Sequence, residues 1–355
     1  MTRRNDYAIL IGINKYKCRD MFPDLQSPSA DMRMFADWLH AQDGGDLPKE
    51  NIRLIPATGS KFEDGKPQYT DFHNEFAEVI ESYSPGNRIY LYFSGHGYSV
   101  KLSNDQRTAL YAADASKYAT YHISGTDYAA WTQSHAKFKE IVLVMDCCRD
   151  AEIVTPMLPP PLPNMQNETE AADTKLICIY GAPKGGKAQE REIPELNRVC
   201  SLLTHAFILA LKHAPSDAQG RITGKSVKNY IEDIWNDICG DYPADPPEIY
   251  LPPRDDIVFR TGGSKPINQI FEINDWEISD RLTVSDQNNK LVCLIKFQCQ
   301  SKSILVTWPA RTESIPIANN RFSIPLPVGL YQAVLGKRQQ TLTRIFQSGG
   351  QYVRF

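Results

Sequence analysis

The chain has 355 residues, room for about two domains at a typical 150 residues each, and a net charge of −3. Hydrophobic residues at 42% and charged residues at 23% give the balance of a folded globular chain and exclude a disordered or fibrous one. The near-neutral charge gives no electrostatic ground for nucleic acid or an anionic membrane as partner, and no run reaches the roughly 18 apolar residues that cross a bilayer.

The N-terminal stretch MTRRNDYAILIGINKYK sets basic residues before an apolar run, as an export signal does. The run covers only Tyr7 to Ile13, and Asn14 and Lys15 follow without a small-residue cleavage site. It reads as a buried strand, and a cytoplasmic protein is expected. The eight cysteines, at 18, 147, 148, 178, 200, 239, 293 and 299, form no C-x-x-C pair. They are expected to be reduced, and most of them to pack as small hydrophobes.

Up to about residue 260, apolar runs alternate with amphipathic segments. YAILIGI, RIYLYFS, EIVLVMD and KLICIYG are apolar throughout, as strands buried on both faces of a parallel sheet are. Between them SADMRMFADWLHA, TDFHNEFAEVIESYS, SLLTHAFILALKHA and GKSVKNYIEDIWNDI read as helices. Phe72, Phe76, Val79 and Tyr83 fall on one stripe, with Thr70 or Asp71 able to cap its start. The alternation predicts an α/β fold, a mostly parallel sheet with helices on both faces, over residues 1–262. Two loops flank the fourth strand: TPMLPPPLPNMQNETEAADT, Pro-rich and then acidic, and the charged APKGGKAQEREIPELNR. RTGGSKPINQ reads as a linker. Beyond it, KLVCLIKFQC, SILVTWPA, RFSIPLPVGLYQAVLG and QYVRF predict an all-β, sandwich-like domain over 266–355.

Two of the strands end in chemically loaded turns. RIYLYFSGHGYS brings Ser94, Gly95, His96 and Gly97, and EIVLVMDCCRD brings Asp146, Cys147 and Cys148. Ligand sites of open parallel sheets lie outside the carboxyl ends of the strands, so a His and a Cys can meet in one crevice there. Alone, each is more often structural. Together they suit a cysteine nucleophile whose pKa a neighbouring imidazole lowers. Alternate residues of a strand share a face, so Asp146 and Cys148 are expected to point together and Cys147 into packing.

YFSGHG followed by VMDCCRD resembles the caspase and metacaspase superfamily of cysteine proteases. Cys148 follows His96 by 52 residues, against about 50 in the caspase pattern. AILIGINKYK…PDLQSPSADMRMFADWL is similar to the family's first strand and helix, and KLICIYGAPKGGKAQE…SLLTHAFILALKHA to the strand and helix of its small subunit. Asp150, where a small residue is usual, and Pro28, where metacaspases often have Cys, depart from the pattern. The resemblance implies a caspase-like fold with Cys148 as nucleophile and His96 as general acid/base. It also implies an oxyanion hole formed by the N–H groups of Gly97 and Cys148, with no third acid required. Asp31, Ser94 and Asp146 match members of the metacaspase P1 pocket, which implies cleavage after Arg or Lys.

The expected function is therefore an intracellular endopeptidase acting on proteins or peptides, a regulated effector in cell death, stress or antiviral defence. A silent scaffold that binds partners through the β domain, and a peptide ligase, are the alternatives. A regulatory protein is the partner expected for the β domain. No basic residue lies between Arg149 and Lys175, so self-cleavage is expected, if anywhere, at Lys184, Lys187 or Arg191. No metal or other cofactor is expected from the motifs. Metacaspases often need calcium; the acids of DAEI and NETEAAD form no EF-hand pattern, and calcium activation is left open.

Overall fold

The apolar runs become neighbouring strands of one sheet. A computed structural model describes residues 5–56, 65–83, 85–100, 106–150, 157–163, 171–193, 196–217, 219–240, 242–261, 267–274, 276–286, 291–298, 303–308, 312–326, 330–337, 341–347 and 353–355. Much of the Pro-rich and acidic loop (151–156 and 164–170) and of the expected linker (262–266) lies outside the described residues. Contacts divide the chain into one unit of Met1–Lys212 with Thr223–Arg260, and a second of His213–Ile222 with Thr261–Phe355.

In chain order the elements up to residue 261 are β1 (Asp6–Gly12), α1 (Pro28–His40), β2 (Ile52–Ile55), α2 (Tyr69–Tyr83), β3 (Gly86–Gly95), β4 (Gly97–Ser99), β5 (Thr108–Tyr111), β6 (His122–Ile123), α3 (Gly125–Ser134), β7 (Phe138–Cys147), β8 (Lys175–Tyr180), β9 (Glu190–Ile193), β10 (Arg198–Ser201), α4 (Leu202–His213), β11 (Arg221–Thr223), α5 (Gly224–Cys239), β12 (Glu248–Tyr250) and β13 (Val258–Thr261). The central sheet has the order β12-β8-β7-β3-β1-β2. All its pairs are parallel except β12 with β8. β4, β5 and β6 form a small antiparallel sheet, and β9 and β10 a hairpin.

Strand alternation sorts the helices onto the two faces. Along β3, Phe93 packs on Phe72 of α2, with ring centroids 5.0 Å apart, and Phe72 packs on Tyr128 of α3. On the opposite face Tyr90 and Tyr92 meet Phe35 of α1, which also touches Phe207 of α4. Ile89, Leu91, Ile141 and Leu143 are fully buried in the first of these layers. Burial of side chains of this size stabilises by about 1.5–3 kcal/mol each. Helix α2 starts at Tyr69, so the expected caps Thr70 and Asp71 fall inside its first turn, and the Asp71 carboxylate accepts from Gln68 N at 2.7 Å.

The second unit is built from β14 (Ile267–Glu272), β15 (Arg281–Asp286), β16 (Leu291–Gln298), β17 (Ser303–Thr307), β18 (Thr312–Pro316), β19 (Arg321–Leu326), β20 (Leu330–Gly336), β21 (Thr341–Gln347) and β22 (Val353–Arg354). A six-stranded sheet, β18-β17-β16-β15-β20-β21, and a three-stranded one, β19-β14-β22, share one core. Phe297 of the larger sheet packs edge-on against Phe322 of the smaller, as sandwich faces do.

Candidate active site

The register of the central sheet brings the two loaded turns together. Ser94 pairs with Asp146 and Gly95 with Cys147, so His96 and Cys148 leave the sheet from neighbouring strand ends. Gly95 has φ +150°, and a Cβ there would sit 2.5 Å from the Tyr16 hydroxyl, so the turn requires glycine. That hydroxyl accepts the backbone N–H of His96 at 2.8 Å, and the rings of Tyr16 and Phe22 lie against the imidazole.

The imidazole is oriented by a backbone carbonyl. His96 Nε2 is 2.8 Å from Pro23 O. A carbonyl only accepts, so Nε2 carries the hydrogen and Nδ1 keeps the lone pair of the neutral ring. Burial lowers the pKa of His96, against the Pro23 bond and the charges of Glu190 and Asp150.

The two cysteines differ in environment. Cys147 is buried in the core on the α2/α3 side. It packs so tightly under Gly97 that a Cβ there would meet its Sγ at 2.4 Å. Cys148 is half-buried, with Sγ 3.8 Å from Ala188 O. Burial raises its thiol pKa, and the Asp150 charge adds to this. Burial thus acts against the acidification that a neighbouring imidazole would give. Desolvation disfavours both ions and holds imidazole and thiol neutral. Gly97 faces Leu110 across β4 and β5, and the neighbouring bond runs from Tyr111 N to His96 O. This makes Gly97 a non-hydrogen-bonded pair, whose N–H the ladder does not use.

The residue after Cys148 anchors the turn. Arg149 is fully buried, with Nη1 2.6 Å from Glu248 Oε2 and its guanidinium 4.0 Å from the centroid of Tyr180. Its backbone N–H donates to Gly186 O, and its carbonyl accepts from Ser99 Oγ at 2.6 Å.

The three expected pocket residues lie on the α1/α4 side, and all are buried. Asp146 accepts from Ser201 Oγ at 2.7 Å and from the hydroxyl of Thr204. Asp31 accepts from Ser201 N at 2.9 Å and Cys200 Sγ at 3.0 Å, and pairs with Arg198 Nη1 at 3.1 Å. Ser201 thus ties the two carboxylates together. Burial and the charge of Asp31 push the Asp146 carboxyl up to about 7, while the hydroxyls of Thr204, Ser201 and Tyr92 pull it down. Ser94 is buried beside Asp146, its carbonyl accepting from Ile13 N at 2.9 Å. The hairpin that delivers Arg198 and Ser201 is docked on the start of α1, where Glu190 accepts from the N–H groups of Gln26 and Ser27.

Sequence reasoning missed Tyr16, Pro23, Arg198, Ser201 and Thr204. Arg198 and Asp31 are 167 residues apart, and no local pattern marks such a pair. Of the expected self-cleavage sites, Arg191 is tied to the carbonyls of Cys239 and Tyr242, whereas the Lys187 side chain is 67% exposed. Among the described residues no group of three or more His, Cys, Asp or Glu is placed to hold a metal ion. None of the described helices is long and apolar enough to cross a membrane.

Comparison with known proteins gives three findings. A family model described as "Caspase domain" matches residues 5–223. A protein of a Desulfuromonadales bacterium, named "Probable protease", is 26% identical over 152 residues. That match covers 41% of this chain and 18% of the other, so the chain spans under a fifth of that relative's length. The crystal structure of a Geobacter sulfurreducens protein superposes at a TM-score of 0.44 and 13% identity, covering 71% of this chain and 94% of that one.

Proposed function

Because the chain belongs to the caspase-domain family of cysteine peptidases, we propose that it is an endopeptidase that works through Cys148 and His96 and cuts after Arg or Lys. The observation that carries the dyad is the bond between His96 Nε2 and Pro23 O. It fixes the tautomer and leaves Nδ1 as the base for the thiol.

The reaction then runs from a neutral pair. Nδ1 takes the proton of Cys148 as the sulfur attacks the scissile carbonyl carbon. The carbonyl π electrons move to the oxygen, which the N–H groups of Gly97 and Cys148 stabilise. As this intermediate collapses, the C–N bond breaks and His96 gives its proton to the leaving amine. A water, deprotonated by the same nitrogen, attacks the thioester. The C–S bond then breaks, the acid product leaves, and Nδ1 returns the proton to the Cys148 sulfur.

The preference for a basic P1 residue is supported by Asp31 and Asp146. A guanidinium already lies on Asp31, that of Arg198, which is the chemistry a P1 arginine would present. The setting that fits is a regulated effector in cell death, stress or defence, with the C-terminal β unit as the site for a regulatory protein. Turnover of fluorogenic P1 Arg and Lys peptides by wild type, Cys148→Ala, Cys147→Ala and His96→Ala tests the dyad. Loss in Cys148→Ala and His96→Ala alone supports it, and activity retained in Cys148→Ala sinks it. Mass analysis of the products with an added amine acceptor separates hydrolysis from ligation.

A further inference from the structure

Asp31 is completely buried, yet the cation that pairs with it sits at the edge of the structure. The Arg198 side chain keeps 29% of its exposure, while Asp31 keeps none. Arg198 opens the strand whose other members seal the acids: Cys200 and Ser201 bond Asp31, and Ser201 bonds Asp146. The guanidinium also donates to the Val199 carbonyl at 3.0 Å and to Met34 Sδ at 3.4 Å. Arg198 is thus held by one carboxylate, its neighbour's carbonyl and one thioether, with part of its side chain in solvent.

From this we infer that Arg198 is an internal occupant of the acidic pocket, which a basic P1 side chain of the substrate must displace. The inference rests on the reading of Asp31 and Asp146 as the P1 pocket. Exchange is chemically even, since one guanidinium or ammonium replaces another on the same carboxylate. Arg198, already partly hydrated, gains water on swinging out and gives up its Val199 and Met34 contacts. The tether gives it a high local concentration, so it competes with every substrate. A neutral or acidic P1 residue cannot displace it without leaving Asp31 buried and unpaired, which is strongly unfavourable. Arg198 therefore both weakens binding of basic substrates and rejects the others.

Binding of two matched peptides to full-length protein in a Cys148→Ala background tests this, one with Arg and one with Ala at P1. Arg198→Gln keeps a polar side chain and removes the charge. It is expected to tighten the P1 Arg peptide by about tenfold, a difference that titration calorimetry resolves. The gain is expected to vanish when Asp31→Asn is added, and thermal melting confirms that each variant is folded. If Arg198→Gln binds the P1 Arg peptide no tighter, while unsubstituted Arg198 protein still prefers Arg to Ala, the internal occupant is refuted and the basic pocket stands. If every form prefers Ala, the basic P1 reading fails, and the occupant with it.

Discussion

His96 Nε2 lies 2.8 Å from the carbonyl oxygen of Pro23, so a backbone group orients the imidazole in place of a third side chain. Burial, acting against that bond, lowers the His96 pKa, and in the neutral ring the hydrogen sits on Nε2 while Nδ1 keeps its lone pair. Replacing His96 by Ala should lower kcat by about 10²–10⁴-fold. Thermal melting should show a protein that remains folded, because His96 is not part of the main core.

The two adjacent cysteines should separate cleanly. Cys148→Ala is expected to abolish turnover. Cys147→Ala removes a buried sulfur packed under Gly97 and should cost about 1 kcal/mol of stability. Its kcat/KM should stay within a few-fold of wild type. Urea denaturation and peptide turnover on the same preparations check both halves.

Acid should switch the enzyme off only below the ordinary imidazole range. Burial holds His96 to a lowered pKa, so the protonated, inactive ring accumulates below about 6.5. The acid limb of kcat/KM is expected there. In stability the sign is the same: the unfolded chain takes up the proton first, so the contribution of neutral His96 is lost as pH falls through the lowered pKa. A limb well above pH 7 would contradict a desolvated, neutral imidazole.

Asp146 should give basic ligands a second pH dependence. Its carboxyl, faced by Asp31 on α1, Tyr92 on β3, Ser201 on β10 and Thr204 on α4, is pushed up to about 7 by burial and by Asp31. Affinity for a P1 Arg peptide should therefore rise as pH rises through that value, and Asp146→Asn should flatten the rise. Stability changes in the opposite sense. The raised pKa contributes most below the ordinary carboxylate range, and the contribution is lost as pH rises through about 7.

Arg149 should matter for stability before chemistry. It is fully buried on Glu248, whose side chain is 32% exposed, and it stacks on Tyr180. Arg149→Ala is expected to cost about 2–4 kcal/mol, part of it for the partner left unpaired. Glu248→Gln should cost less, since water already reaches it. Chemical denaturation of the two variants checks the order.

The core of this fold was legible because its strands are apolar throughout and its helices carry clear stripes. YAILIGI and EIVLVMD became β1 and β7, and Phe72, Phe76 and Val79 are buried as their spacing predicts, whereas Tyr83, the last residue of that stripe, is exposed at the helix end. The small sheet of β4, β5 and β6 was not legible. Its strands are two to four residues long, too short for a period to show. In the site, Cys148, His96 and Gly97 stand in recognisable turns. Pro23, Arg198 and Ser201 act through one carbonyl, one tethered charge and one hydroxyl brought from far along the chain, and such contacts leave no local trace. The direction of the His96 and Cys148 shifts also left no trace in the motif, because burial is their largest cause.

The central claim is a Cys148 peptidase with a basic P1 pocket. It is tested most directly by kcat/KM on matched peptides that differ only in P1, with Cys148→Ala as control. The account predicts turnover after Arg and Lys at about 100-fold or more over Asp, a difference of roughly 2.7 kcal/mol in transition-state stabilisation, and none in Cys148→Ala. Faster turnover after Asp, or turnover that survives in Cys148→Ala, would contradict it.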